Sequence, residues 1–370
     1  MKILLINQGH TDNLGDQAIL MVLKKILESD NEIVSLPFVP YENEQNLNFL
    51  IHSKETLTAF DKKSAEKCKN SLLLSKLKSL IPQEWRTLYN YKRIIESKIN
   101  SRRFDFAIIG GGELIKGSSH PFFFSLIAWV DFLEKQGWPV FVSGVSCDAV
   151  FNEYEQRHLR RTLDKCRVIT VRDRQSQKIL RDLGVKCEYL PDIVFLYRRL
   201  YDRVFVSDKT IQSVFVYSFD ELDFKNKFNY SREEYYSYYF KLIERSKNKM
   251  PLVLGYTTYN DYKETIRFAQ YLNKMGVAYT IADIYEFSDL IAILKDSSQI
   301  ISGRMHAMIL GMQYCAKIIP VDVKEKIAVF RREWGLGDLE YDVISSKLES
   351  DFWQVLIDNH FITEGVIDEA

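Results

Sequence analysis

The sequence is poor in cysteine, carries no surplus charge and has no long apolar run at its start, and each shortage closes off a class of protein. Five cysteines (Cys68, Cys147, Cys166, Cys187 and Cys315) are scattered through 370 residues, odd in number and without a Cys-x-x-Cys spacing. That excludes a disulfide framework and a cysteine zinc site, and points to reduced thiols. Fifty basic and fifty acidic side chains cancel, so no global field draws the chain to nucleic acid or lipid, and no nucleic-acid partner is expected. Only four consecutive apolar residues, Ile3 to Ile6, precede Asn7, against the roughly 20 of a membrane span. A cytoplasmic protein is expected. No Gly-x-Gly-x-x-Gly loop, no Asp-x-Asp with supporting ligands, no internal repeat and no low-complexity tract is found, so neither a dinucleotide nor a metal is called for.

What is there is enough apolar sequence, 46% of the chain, for two cores. Short β-rich runs at 3–6, 32–36, 104–109, 140–143 and 168–171, then 214–217, 252–255, 278–281, 299–302 and 317–321, alternate with amphipathic stretches. This is the βαβ pattern of parallel sheets. A stretch without clear period at 196–213 reads as a linker, so the expectation is an α/β protein of two Rossmann-like, doubly wound domains, 1–196 and 197–370. Such sheets bind ligands at the carboxyl ends of their strands, and the cleft between the halves is the expected site. Residues 53–103 break the pattern as a helical insertion holding thirteen Lys/Arg against five Asp/Glu. Within it, leucines beside lysines at 70–82 suit a helix lying on an anionic membrane, which would put the protein at the membrane's inner face; a solvated helical hairpin is the other reading. Five tyrosines between Tyr230 and Tyr239 offer either aromatic faces for sugar rings or the buried side of an amphipathic helix.

Several strand ends carry chemistry. After the first strand, Asn13-Leu14-Gly15-Asp16 runs into a helix whose amides suit an anion or a hydroxyl-rich ligand, or are simply capped by Asn13 or Asp16. Gly110-Gly111-Gly112-Glu113 follows the third strand, and consecutive glycines fit a ligand that approaches the backbone better than they fit a plain turn. Arg172 at the next strand end offers a planar fork to carboxylate or phosphate, with Asp192 to orient it or take a proton; a surface ion pair is the alternative. In the second half, Ser302-Gly303-Arg304-Met305-His306 leaves a buried strand, turns on glycine and opens a helix with Arg and His in its first turn. A cation at a helix's positive end is unfavourable unless an anion sits there. Arg304 and the helix amides would hold that anion while His306 gives or takes a proton. Lys326 can supply a second cation to the same pocket or belong to a solvated face.

Taken in order, Asn13-Leu14-Gly15-Asp16, Gly110-Gly111-Gly112, Arg172-Asp173-x-x-Ser176, Leu183-Gly184, Pro191-Asp192, Ser302-Gly303-Arg304-Met305-His306-Ala307 and Lys326 with Phe330 resemble the polysaccharide pyruvyl transferase family over residues 3–337. Where that family often has Gly-Pro after its glycine-rich strand end, this chain has Val145-Ser146-Cys147-Asp148. The resemblance implies a GT-B-like fold, phosphoenolpyruvate as donor without a required cofactor, and a sugar of a cell-surface glycan or its lipid-linked precursor as acceptor. It makes 1–196 the acceptor side and 197–370 the donor side. It assigns Arg304, Arg172 and Lys326 to the donor's negative charge and His306 to proton transfer; the strand-end loops add Asn13, Gly111, Gly112, Glu113, Ser302 and Gly303 as substrate-binding positions, and the chemistry calls for a base, Asp192 or Asp16. Two rivals stay open: a GT-B glycosyltransferase using a nucleotide sugar, and a glycan-binding scaffold without catalysis.

Overall fold

A computed structural model describes residues 1–28, 31–41, 83–221, 224, 231–246, 250–334 and 340–363. The 70–82 stretch read as a membrane contact, and the insertion as far as residue 82, lie outside the described residues. The chain divides into two compact units.

The first unit comprises Met1–His10, Leu23–Asp192 and the chain from Phe352 on. Its six parallel strands are β1 (Lys2–Asn7), β2 (Glu32–Pro37), β3 (Phe106–Ile115), β4 (Val140–Cys147), β5 (Val168–Val171) and β6 (Glu188–Tyr189), in the order β2-β1-β3-β4-β5-β6. β4 and β5 are buried throughout, and in β3 only Glu113 is half-exposed. That is why these strands read as near-continuous apolar runs rather than alternating ones. Helix His120–Gln136 covers the sheet with ten buried residues, has Pro121 in its first turn and stops at Gly137, whose left-handed φ of 73° ends the helix without a Cβ clash. Trp129 on it donates its indole N–H to the Phe38 carbonyl at 2.7 Å, so its one polar atom is satisfied in the core.

The glycines after residue 109 are not a turn. β3 runs on to Ile115, with Gly111 and Gly112 at φ 74° and 82° inside it, and the register with β4 shifts between Gly112 and Ile115. β4 likewise continues to Cys147 through Gly144 at φ 59°. Left-handed glycines placed in a central strand let both strands bulge without ending.

The second unit comprises Thr11–Val22 and Ile193–Asp351. Its parallel strands β7 (Ile211–Phe215), β8 (Leu252–Gly255), β9 (Thr280–Ile281), β10 (Ser297–Ser302) and β11 (Lys317–Pro320) lie in the order β11-β10-β7-β8-β9. The direction of winding reverses between β7 and β10, which makes their carboxyl ends the switch point where doubly wound sheets take ligands. Helix Arg232–Arg245, capped by a reciprocal Ser231–Glu234 box, buries Tyr235, Tyr236 and Tyr239. Tyr236 and Tyr239 pack on Phe268, Tyr236 also on Tyr271, and Tyr235 on Phe224 and Tyr239, so these three tyrosines are core and not sugar platforms.

The units interleave in sequence, where two contiguous halves, 1–196 and 197–370, were expected. Helix Tyr341–Asp358 starts in the second unit and ends in the first, where Phe352 meets Phe141 at 6.0 Å and Phe361 meets Phe106 at 5.1 Å between ring centroids. Burying two phenylalanines outweighs keeping the chain's end with its nearest sequence neighbours. The expected linker likewise opens on a short helix, Tyr197–Tyr201. No helix among the described residues is long and apolar enough to cross a membrane.

Candidate functional site

At the switch point of the second unit, Ser302 closes the turn that follows β10. Its hydroxyl accepts from the Arg304 N–H at 2.8 Å and donates to the Arg304 carbonyl at 3.1 Å. The Gly303 N–H donates to Phe215 at the end of β7, at 3.2 Å. A Cβ on Gly303 would stand 2.9 Å from the Tyr239 hydroxyl and 2.9 Å from Val323. Both residues are buried; they shape the turn, and its product is the position of Arg304 at the N-cap of helix Met305–Gln313.

The Arg304 guanidinium lies 3.9 Å from the centre of the Tyr217 ring and pairs through a terminal nitrogen with Asp261. Asp261 is completely buried. It sits in the first turn of helix Tyr259–Lys274, capped by Thr258, and also accepts from the Ser218 N–H and the Thr257 hydroxyl, each at 3.0 Å. Burial alone would lower the guanidinium's pKa; the Asp261 carboxylate outweighs it, and the pKa is raised. One donor is left over: the Nε–H of Arg304 is buried and has no partner among the described residues, an arrangement that costs free energy until an acceptor arrives. The Lys324 ammonium lies 5.8 Å from the same Tyr217 ring, and half-buried Lys326 follows in the first turn of helix Glu325–Trp334.

The Asn13-Leu14-Gly15-Asp16 motif joins this unit. Asp12 accepts from the Tyr259 N–H at 2.8 Å, and the Leu14 N–H donates to Thr257 at 3.0 Å. Gly15 packs directly on His306, where a Cβ would fall 2.1 Å from Nδ1. Asn13 caps helix Leu14–Leu27 by accepting from the Gly15 N–H at 3.0 Å and donates to Asp16 at 2.8 Å. So the second unit gathers the loop at 12–16, the helix start at 257–261 and Ser302–His306 in one place, with His306 half-buried among them.

The first unit treats its candidates differently. Arg172, expected as a cation open to ligand or else a surface pair, is 5% exposed. Its Nε donates to Ser146 at 2.6 Å and a terminal nitrogen to Asp192 at 2.7 Å. With Asp192 also buried, the pair ties β4, β5 and the segment after β6 together as an internal strut. Its burial is tolerated because Asp192 balances its charge and Ser146 takes its Nε–H. Glu113 pairs with Lys116 at 3.0 Å, and Gly111 and Gly112 serve the β3 bulge. Among the described residues no group of three His, Cys, Asp or Glu is arranged to hold a metal.

Tyr217, Asp261 and Lys324 were not singled out by sequence. Tyr217 ends an expected strand, and Thr258-x-x-Asp261 has cap spacing, but nothing local shows that Asp261 points inward to an arginine 43 residues away.

A family model described as polysaccharide pyruvyl transferase matches residues 13–325. No curated protein matches the chain by sequence. Among solved structures, a UDP-N-acetylglucosamine 2-epimerase from Rickettsia bellii is similar at 10% identity and a TM-score of 0.50, covering 99% of each chain. A protein of Listeria monocytogenes described as an enzyme of the same kind is similar at 11% identity and a TM-score of 0.51, covering 98% of this chain and 89% of its own. At that identity the likeness extends to the fold alone, α/β with two Rossmann-like domains of GT-B type.

Proposed function

The chain belongs to the polysaccharide pyruvyl transferase family, and from that premise we propose that it transfers a pyruvyl group from phosphoenolpyruvate to a sugar of a cell-surface polysaccharide or its lipid-linked precursor, forming a cyclic ketal. The observation that carries this reading is the Arg304 Nε–H, buried and without a partner among the described residues, at a helix start on the switch point of a doubly wound sheet. The guanidinium is held by its ion pair with Asp261 and by the Tyr217 ring, while its Nε–H is left for an acceptor. An anion there would also face the positive end of helix Met305–Gln313. Lys324 and Lys326 add charge for a donor bearing both phosphate and carboxylate.

The chemistry then runs on proton transfers. The donor's methylene carbon gains a proton, leaving an oxocarbenium-like centre at C2. One sugar hydroxyl adds to C2 and gives its proton to a base, the bond from C2 to the phosphate oxygen breaks, and phosphate departs. A second hydroxyl adds to the carbon so vacated and closes the ring. Of the two hydroxyl protons, one balances the methyl group formed and the other leaves on phosphate. His306, two residues on from Arg304, is the proposed donor of the first proton. Asp16, fixed by Asn13 in the same unit, is the better-situated base, since Asp192 is engaged with Arg172. The action is expected in the cytoplasm.

Incubation with phosphoenolpyruvate and a panel of bacterial glycans, followed by phosphate release and by mass of the product, tests the proposal. His306→Gln should cut turnover by at least about a hundredfold with phosphoenolpyruvate still bound. Turnover of a nucleotide sugar with no affinity for phosphoenolpyruvate would sink the proposal in favour of a glycosyltransferase, and undiminished function of His306→Gln would point to a binding role.

A further inference from the structure

Away from Arg304, the second unit has a cavity of about 210 Å³ lined by Arg198, Arg199, Arg203 and Asp342. Arg198 is pinned between the Tyr341 ring, 4.3 Å away, and Asp342 at 2.5 Å. Arg199 pairs with Glu349 and donates to Ser346 at 3.1 Å. Arg203 donates its Nε to the Arg199 carbonyl at 3.0 Å and has no carboxylate partner among the described residues. Three guanidiniums thus face two carboxylates, and the surplus charge sits on the most exposed arginine.

The chain beyond it is unusual for a soluble surface. In Arg203-Val204-Phe205-Val206 the side chains alternate: Phe205 turns inward onto Tyr314, with ring centroids 5.1 Å apart, while Val204 and Val206 stand 87% and 91% exposed. Val343, in the same helix turn as Asp342, is 59% exposed. Valines held out in water beside a cationic cavity gain nothing in solution. They gain where apolar depth and negative charge occur together, at the surface of an anionic bilayer.

We propose that this face docks on an anionic lipid surface, a lipid phosphate entering the cavity against Arg198, Arg199 and Arg203 while Val204 and Val206 insert among the acyl chains. The surface would bring the enzyme to membrane-borne material. It does not depend on the reaction assigned above, since vesicle binding is measured without donor or acceptor.

The test is co-sedimentation of the full chain with phosphatidylglycerol vesicles and with phosphatidylcholine vesicles. Selective, salt-sensitive binding to the anionic vesicles is expected. Arg203→Glu should weaken it more than about fivefold, the worth of a single charge at such a surface, and Val204→Asp/Val206→Asp should weaken it similarly. All three positions are exposed, so circular dichroism should be unchanged. Wild type that ignores anionic vesicles, or a triple variant that binds them as well as wild type, would overturn the proposal, the latter placing any membrane contact elsewhere. Displacement by millimolar inorganic phosphate together with full binding by Val204→Asp/Val206→Asp would also overturn it, leaving a site for a soluble anion.

Discussion

Gly15 and His306, 291 positions apart in sequence, are in such close contact that a single methyl on Gly15 would lie 2.1 Å from the imidazole Nδ1. The glycine of the Asn-Leu-Gly-Asp motif is therefore there to let a histidine lie against a helix backbone, and the two motifs make one site.

Gly15→Ala should accordingly push the imidazole aside without unfolding the protein. Overpacking of this kind costs about 1–3 kcal/mol. The expected outcome is a fall of about tenfold or more in kcat for phosphate release, with little change in the circular dichroism spectrum and in phosphoenolpyruvate affinity. A fully active Gly15→Ala would show that the ring is not needed where it lies.

Asp261→Asn tests whether Arg304 is held by its ion pair. Removing one partner of a buried pair costs about 3–5 kcal/mol, because the guanidinium is left with its charge unmet. A lowered Tm and weaker donor binding should appear together, while in Asp261→Asn/Arg304→Met the stability loss should be smaller than the sum of the single losses. Additive losses would mean that the two side chains act independently.

The Arg172–Asp192 strut predicts the opposite pattern in function. Arg172→Met should lower stability by about 3–5 kcal/mol, or about 2–4 °C in Tm for each kcal/mol in a unit of this size. Arg172→Met/Asp192→Leu should recover much of it and, if the pair is structural, recover activity with it. Restored stability with activity still absent would return Arg172 to the donor site.

Alkali should unfold the protein. Burial pushes the hydroxyls of Tyr197, Tyr256 and Tyr341 from 10.0 up to about 12, and burial pushes the Cys166 thiol up to about 12. Above pH 9 the unfolded chain loses the thiol proton and above pH 10 the phenolic protons while the folded chain keeps both, so stability is intact below pH 9 and falls as pH rises toward 12. Tm measured from pH 8 to 11 should drop at the alkaline end, and phenolate absorbance from the buried tyrosines should appear only with unfolding. Phenolate signal well before the loss of structure would contradict the burial.

Both parallel sheets, the two-unit plan, and the strand end at Ser302–His306 were legible because each depends on local pattern: apolar period, a glycine after a strand, polar residues opening a helix. The glycine-rich strand ends were misread for the same reason. Gly110 to Gly112 read locally as a strand end open to a ligand, and only pairing with β4 shows that the strand continues through them. The sequence therefore determined which residues carry charge and protons, and in what order along the chain. Tertiary structure alone decided which of those charges are spent. Arg172 and Arg304 are both arginines at a strand's carboxyl end, yet one is closed off by Ser146 and Asp192 while the other keeps a buried donor open. Hydrogen-bond satisfaction is settled by neighbours tens to hundreds of residues away, and a spacing along one strand and helix holds no record of them.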